Sequence, residues 1–147
     1  MVITEPKTAE DFEKYYHLRW EILRKPWDKP KGSEKDDTEN SCIHAMAIDD
    51  KGDVVAVCRL QYNSSKEAQI RYMAVKENTQ GKGIGSSIIR YIENKAMERG
   101  IESIVLHARE KAVNFYKSNG YKTMEISYLM WEKIQHFLMK KTLIKNK

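Results

Sequence analysis

An α+β fold, a mixed and mainly antiparallel sheet with helices on both faces, is predicted by three features of the sequence. Two amphipathic stretches at helical spacing lie before and within a series of short β-type segments. The turn Asp49-Asp50-Lys51-Gly52-Asp53 joins two of those segments as an antiparallel hairpin. A glycine-rich stretch then sits where a third strand gives way to the second helix.

Val2-Ile3 starts an edge strand, and Thr8 followed by Asp11 reads as an N-cap with an acidic first turn. Phe12, Tyr15, Tyr16, Arg19 and Leu23, with Leu18 and Ile22 beside them, fall at helical spacing to about Arg24, and Pro26 ends the helix. Residues 28 to 41 hold a proline, a glycine and many charges but no large apolar residue, so a solvated and mobile loop is expected there, long enough to carry function. Residues 43 to 48 and 54 to 62 form the hairpin. Residues 63 to 66 turn the chain into the third strand, 68 to 75. Past the glycines, Ile84, Ile88, Ile92 and Ala96 recur every four residues with Ile89 alongside, and Gly100 caps that helix. A short β run at 103 to 107, a helix at 110 to 119 stopped by Gly120, and closing strands at 121 to 124 and 136 to 143 complete a single domain expected to span residues 1 to 147.

A chain of 147 residues can bury its own core without metal or disulfide. It is 41% hydrophobic and 32% charged, with no apolar run near the roughly 20 residues that a membrane span needs, so no membrane partner is expected. The start, Met-Val-Ile-Thr-Glu-Pro, carries no apolar signal segment, which points to the cytoplasm. Cys42 and Cys58 lie on neighbouring strands and match no metal-ligand spacing; reduced thiols and no metal are expected. The net charge of +5 leans towards an anionic partner, but 26 basic and 21 acidic residues are interleaved. The basic end, residues 140 to 147, reads as a solvated tail. Without clustered aromatic and basic readout residues, nucleic acid is disfavoured as a partner.

The strongest local signal is Gln80-Gly81-Lys82-Gly83-Ile84-Gly85-Ser86-Ser87 at a strand-to-helix junction. Its glycines let backbone N–H groups approach a ligand, and a first helical turn leaves unpaired amides with partial positive charge, which together suit a phosphate. The pattern is neither G-x-x-x-x-G-K-[ST] nor G-x-G-x-x-G, because Ser86 stands where the latter needs its last glycine.

Met73-Ala74-Val75, then Gln80-x-x-Gly83-x-Gly85, and later Ala112, Phe115-Tyr116 and Gly120-Tyr121 together resemble the two halves of the pattern of the GNAT superfamily of N-acetyltransferases. The resemblance covers roughly residues 43 to 142. Leu18-Arg19, Asp36-Asp37, His44 and Ile134-Gln135-His136 are more loosely similar to the bacterial ElaA-like subgroup. What the family implies is a sheet splayed at a parallel pair, here residues 68 to 75 and 103 to 107, with acetyl-coenzyme A in the cleft as co-substrate. Met73, Ala74 and Val75 would then meet the pantetheine chain, while Gln80, Gly81, Lys82, Gly83, Ile84, Gly85 and Ser86 would hold the pyrophosphate. Lys82 reads equally as an exposed charge.

The same resemblance aligns Tyr116 with the general acid that assists the leaving thiolate; the residue itself reads also as a packed aromatic. It implies a cofactor contact for Tyr116 as well. Arg109 stands where relatives place a cofactor-contacting asparagine, so that contact is either lost or replaced by a charge on the phosphates. The strand before the glycines holds Gln69 and Arg71 and no carboxylate until Glu67, which leaves His107, His44 and His136 as proton acceptors or as structural residues. His107, at the end of the second cleft strand, is the candidate base. The expected activity is direct acetyl transfer to a small-molecule or peptide amine, and the chain is compatible with a homodimer. A non-catalytic acyl-CoA-binding or sensing domain is the alternative, with a basic nucleic-acid-binding protein behind it.

Overall fold

The computed structural model describes residues 1–79 and 81–143. Gln80 and the last four residues of the basic end therefore lie outside the described residues. Seven strands among those described, β1 (Val2–Thr4), β2 (Ile43–Ile48), β3 (Val54–Tyr62), β4 (Glu67–Val75), β5 (Ser103–Arg109), β6 (Lys122–Met130) and β7 (Ile134–Thr142), form one sheet. Their order is β1-β2-β3-β4-β5-β7-β6, and every neighbouring pair is antiparallel except β4 with β5. No helix among the described residues is long and apolar enough to cross a membrane.

Helix α1 (Ala9–Leu23) starts at a reciprocal cap. The Thr8 hydroxyl accepts from the Asp11 amide at 3.0 Å, and the Asp11 carboxylate accepts from the Thr8 amide at 3.1 Å. Its apolar stripe sets Tyr15 and Leu18 on one face of the sheet, against Met46, Val57 and Ala74. Helix α2 (Ile84–Glu98) covers the other face, where Ile88, Ile89, Ile92 and Ala96 meet Cys58, Leu60 and Ile70. Short α3 (Val113–Ser118) follows a 3₁₀ turn at Glu110–Ala112.

One irregularity in β4 shapes the centre of the molecule. The β3–β4 register runs from Val57↔Ala74 to Arg59↔Arg71, so β4 carries one residue more than its partner, and Tyr72 in that bulge holds φ 54°. An extra residue inverts side-chain alternation, and Ile70 accordingly faces α2 while Ala74, four positions on, faces α1. The same bulge bends β4. Its parallel ladder with β5 ends at Ile70↔Leu106, although β4 continues to Val75 and β5 to Arg109, and the sheet splays there.

Three expectations are corrected. Residues 28 to 41 are not a loose loop: Glu34 and Glu39 are buried, and a 3₁₀ turn forms at Glu39–Ser41. Arg19 and Arg59 are completely buried, and a buried cation must find anions. Glu39 takes hydrogen bonds from Arg19 Nη1 at 3.0 Å to both oxygens and from Arg59 Nη1 at 2.8 Å. Asp36 accepts from both Arg59 terminal nitrogens at 2.7 and 2.9 Å. Asp36 and Glu39 thus anchor the loop.

The closing hairpin is longer than expected, with β6 running to Met130. Its turn centres on Trp131 and Glu132, both at positive φ (50° and 59°), so the usual Gly or Asn turn signal is missing from the sequence. Exposed Ile126 and Leu129 on this edge strand blur the alternation as well. Residues 140 to 142, read both as the end of a closing strand and as the start of a solvated tail, belong to β7, where Lys141 Nζ donates to Glu93 at 3.0 Å and to the Asn119 carbonyl at 2.9 Å.

Glu39→Gln keeps the side chain's shape but removes the charge shared by two buried guanidiniums. Urea unfolding should show a loss of about 3–5 kcal/mol. The same change at exposed Asp37 should stay within about 0.5 kcal/mol.

Candidate active site

The glycines ahead of α2 make an open cradle. Gly81 and Gly83 hold φ of 84° and 79°, and a Cβ built on either would find nothing within 4 Å. Gly83 is the N-cap and has no side chain to cap with, so the first-turn amides are offered outward at the positive end of a 15-residue helix. Gly85 is glycine for another reason. A Cβ there would lie 2.9 Å from the Phe115 ring of α3. With Lys82 exposed beside the cradle, this donor set fits a diphosphate.

Where β4 and β5 part, a cavity of about 380 Å³ opens beside the cradle strand. Met73, Tyr116, His107 and Arg109, all singled out in the sequence, line it. So do Arg24, Arg71, Tyr72 and Tyr128, which sequence reasoning did not assign to a site. A shallower depression of about 1020 Å³ runs along the outer face of α1, but it touches none of the residues expected to bind cofactor or move protons, and the smaller cleft is the site to consider.

Tyr116 is buried, edge-on to Phe115 at 5.1 Å and to Tyr121 at 5.9 Å. Burial pushes its hydroxyl well above the ordinary value of 10, so the phenol keeps its proton at any physiological pH. His107 stands at the accessible rim, 5.5 Å from the Tyr128 ring. Desolvation first, then the Arg71 charge, lowers it from 6.5 and holds it neutral. His136 stacks on Tyr128 at 4.3 Å; its Nδ1–H donates to the Ile134 carbonyl at 3.0 Å, which leaves Nε2 as the acceptor. It too is lowered, mainly by burial.

His44 does not line the cleft. It sits in the buried ionic cluster, where Nε2–H donates to the Glu39 carbonyl at 2.7 Å and Nδ1 lies 2.9 Å from the Tyr15 hydroxyl. Arg109 Nη2 donates to the Leu23 carbonyl at the end of α1, at 3.3 Å. Neither cysteine is in the cleft, and burial pushes the Cys58 thiol up to about 12.

Comparison with known proteins agrees with this geometry. A family model described as the acetyltransferase (GNAT) family matches residues 12–121. An N-acetyltransferase of Bacillus subtilis (strain 168) named YjcF, itself uncharacterised, is 27% identical over 136 residues, covering 92% of this chain and 95% of the relative. An aminoglycoside 6'-N-acetyltransferase solved with coenzyme A superposes with TM-score 0.83 at 16% identity, covering 100% of this chain and 99% of that one. The ribosomal-protein-S18-alanine N-acetyltransferase of Escherichia coli gives 0.74 at 17% identity, with 99% and 96% covered. At these identities the two structures speak for the fold.

Both cleft histidines should titrate below the ordinary imidazole value of 6.5, because their surroundings disfavour the charged form. Imidazole nitrogen shifts followed by NMR against pH measure this directly; a midpoint at or above 6.5 for either would contradict the geometry described.

Proposed function

The chain belongs to the acetyltransferase (GNAT) family, and from that premise we propose that it moves an acetyl group from acetyl-coenzyme A to an amine by direct attack, without a covalent enzyme intermediate. One juxtaposition carries the reading: an uncapped helix N-terminus with open glycines stands at the end of the strand that borders a cleft holding a protonated tyrosine and neutral histidines. The amides from Gly81 to Ser86, helped by Lys82, would hold the pyrophosphate. The β4 edge at Met73 to Val75 would run along the pantetheine chain, with Ala74 keeping that edge small.

The protein's own residues then have separate tasks. An ordinary primary amine, of pKa about 10.4, must lose a proton before it can attack. His107, neutral and at the rim, accepts that proton directly or through water. The nitrogen–carbon bond forms, the carbon–sulfur bond breaks, and the proton that the acylated nitrogen then sheds returns through water to Tyr116, replacing the one given to sulfur. Tyr116, which holds its proton firmly as a free acid but lies within the cleft, donates it to the departing sulfur. A thiolate of a thiol with pKa about 8.5 is basic enough to take a hydrogen bond or a proton as it leaves. The absence of either cysteine from the cleft lining supports direct transfer.

Tyr116→Phe keeps the ring and its packing and removes the proton. A fall in kcat of about 10²-fold is expected, with coenzyme A affinity and melting temperature unchanged. Preserved turnover of a good acceptor would make Tyr116 a packing residue alone.

Gly83→Val, at a position of positive φ with open space around it, should weaken coenzyme A binding at least about tenfold by calorimetry. A folded variant with parental affinity would remove the pyrophosphate from this loop.

A further inference from the structure

The cleft contains cations and no counter-charge of its own. Arg24, Arg71 and Arg109 all line it, together with two histidines, and no aspartate or glutamate is among the described residues of its wall. Arg24 Nη1 and Arg109 Nη2 donate to one and the same carbonyl, that of Leu23, at 3.1 and 3.3 Å. Two guanidiniums are therefore brought together on a neutral oxygen. Burial lowers the ionisation of both; the Arg24 charge lowers that of Arg109 further, and the Arg71 charge that of Arg24. Arg24 Nε donates to another carbonyl, Ser33 at 3.0 Å, and its guanidinium lies over the Tyr72 and Trp131 rings at 5.6 and 5.3 Å. Aromatic faces attract a cation but do not neutralise it.

Arg71 has an acidic neighbour, Asp36, at 3.4 Å. That carboxylate is already committed: its two oxygens accept from Arg59 at 2.7 and 2.9 Å, and Oδ1 also accepts from the Thr38 amide and hydroxyl. Glu39, the other acid of the cluster, is shared by Arg19 and Arg59. Ile70, Leu106 and Met130 line the cleft beside these charges, and the groups that complete the wall, Gln69 and the tyrosines among them, carry no formal negative charge to offset them.

Resting on the acetyl-transfer reading, we infer that the acceptor is an amine bearing an oxyanion, carboxylate or phosphate, which Arg24 and Arg71 hold while Arg109 adds charge beside them. A guanidinium fork pairs with two oxygens of either group. A polyamine or other multiply cationic amine would be repelled by three like charges in the same cavity.

Two measurements on the intact protein test this. In the first, coenzyme A release from acetyl-coenzyme A is followed with matched acceptors: β-alanine against its amide, glutamate against its diamide, O-phosphoethanolamine against ethanolamine, and spermidine. At least one anionic member should exceed its neutral counterpart and spermidine in kcat/KM by about tenfold or more. Arg71→Gln, at a half-exposed position, and Arg24→Gln should each raise KM for that acceptor about tenfold, leave coenzyme A affinity as it was, and narrow the gap to the neutral counterpart. The carboxylate and phosphate pairs separate the two oxyanion sources. In the second, binding of the same pairs to the coenzyme A-loaded protein is measured by calorimetry, independently of turnover.

Selective binding of the anionic member, lost in Arg71→Gln, without turnover of any amine would uphold the oxyanion site and overturn acetyl transfer. Turnover in which neutral amines or spermidine equal or exceed their anionic counterparts would overturn the oxyanion site and leave transfer standing. Loss of coenzyme A affinity in both arginine variants would overturn it as well, by assigning these charges to the cofactor. No discrimination in either measurement overturns it outright.

Discussion

One carboxylate holds the architecture in register. Glu39 receives guanidinium hydrogen bonds from Arg19 on α1 and Arg59 on β3, and its own backbone carbonyl receives the imidazole of His44 on β2. Helix, hairpin and loop thus share a junction that tolerates only one relative placement, because every misplacement leaves a charge buried alone. Such a junction does not add stability over a well-packed apolar one; its value is in selecting a single arrangement. What it selects here is the bulge. The Tyr72 ring lies 4.4 Å from Arg19, 4.8 Å from Arg59 and 5.0 Å from Arg71, so a tyrosine in a left-handed conformation costing on the order of 1–3 kcal/mol is clamped by cations. Without the bulge, β4 would continue alongside β5, and no cleft would open.

The division of charge follows from this junction. Two acids of residues 28 to 41, Asp36 and Glu39, are spent inwards on Arg19 and Arg59. Lys141 is similarly occupied, by Glu93. A net charge of +5 therefore says little about the surface, and the electrostatics that bear on chemistry are local to the splayed strands.

Most of the secondary structure was legible because it rests on short-range patterns. Thr8 and Asp11 announce a cap, isoleucines every four residues announce α2, and Gly83 with Gly85 announce the cradle. What stayed hidden depends on pairings across long sequence separations. Nothing near residues 36 to 39 shows that two arginines, each 20 positions from Glu39, require those acids. The bulge at Tyr72 has no glycine to mark it, and the Trp131-Glu132 turn likewise lacks the residues that favour positive φ. Tyr128 escaped for the same reason, since a strand expected to end at residue 124 could not bring its ring onto His136. The arginines of the cleft were visible as residues but not as neighbours, and Arg24 in particular reads from sequence as the frayed end of a helix.

The glycine at position 85 has a mechanical meaning. Phe115 rests its ring on the bare Cα of Gly85, and Tyr116 is the next residue along the same short helix. The helix that carries the tyrosine is thus gauged against the glycine loop by a van der Waals stop, not by a hydrogen bond that could stretch or be exchanged with water. Repulsion rises steeply over tenths of an ångström, whereas a proton donor must find its partner within a window of about 2.6–3.2 Å. If the proposed acetyl transfer holds, such a hard stop would turn the position of the pyrophosphate into a fixed coordinate for the tyrosine at the ligand's other end. Tolerance is lost in exchange: drift in the glycine loop and drift in the tyrosine helix become the same displacement.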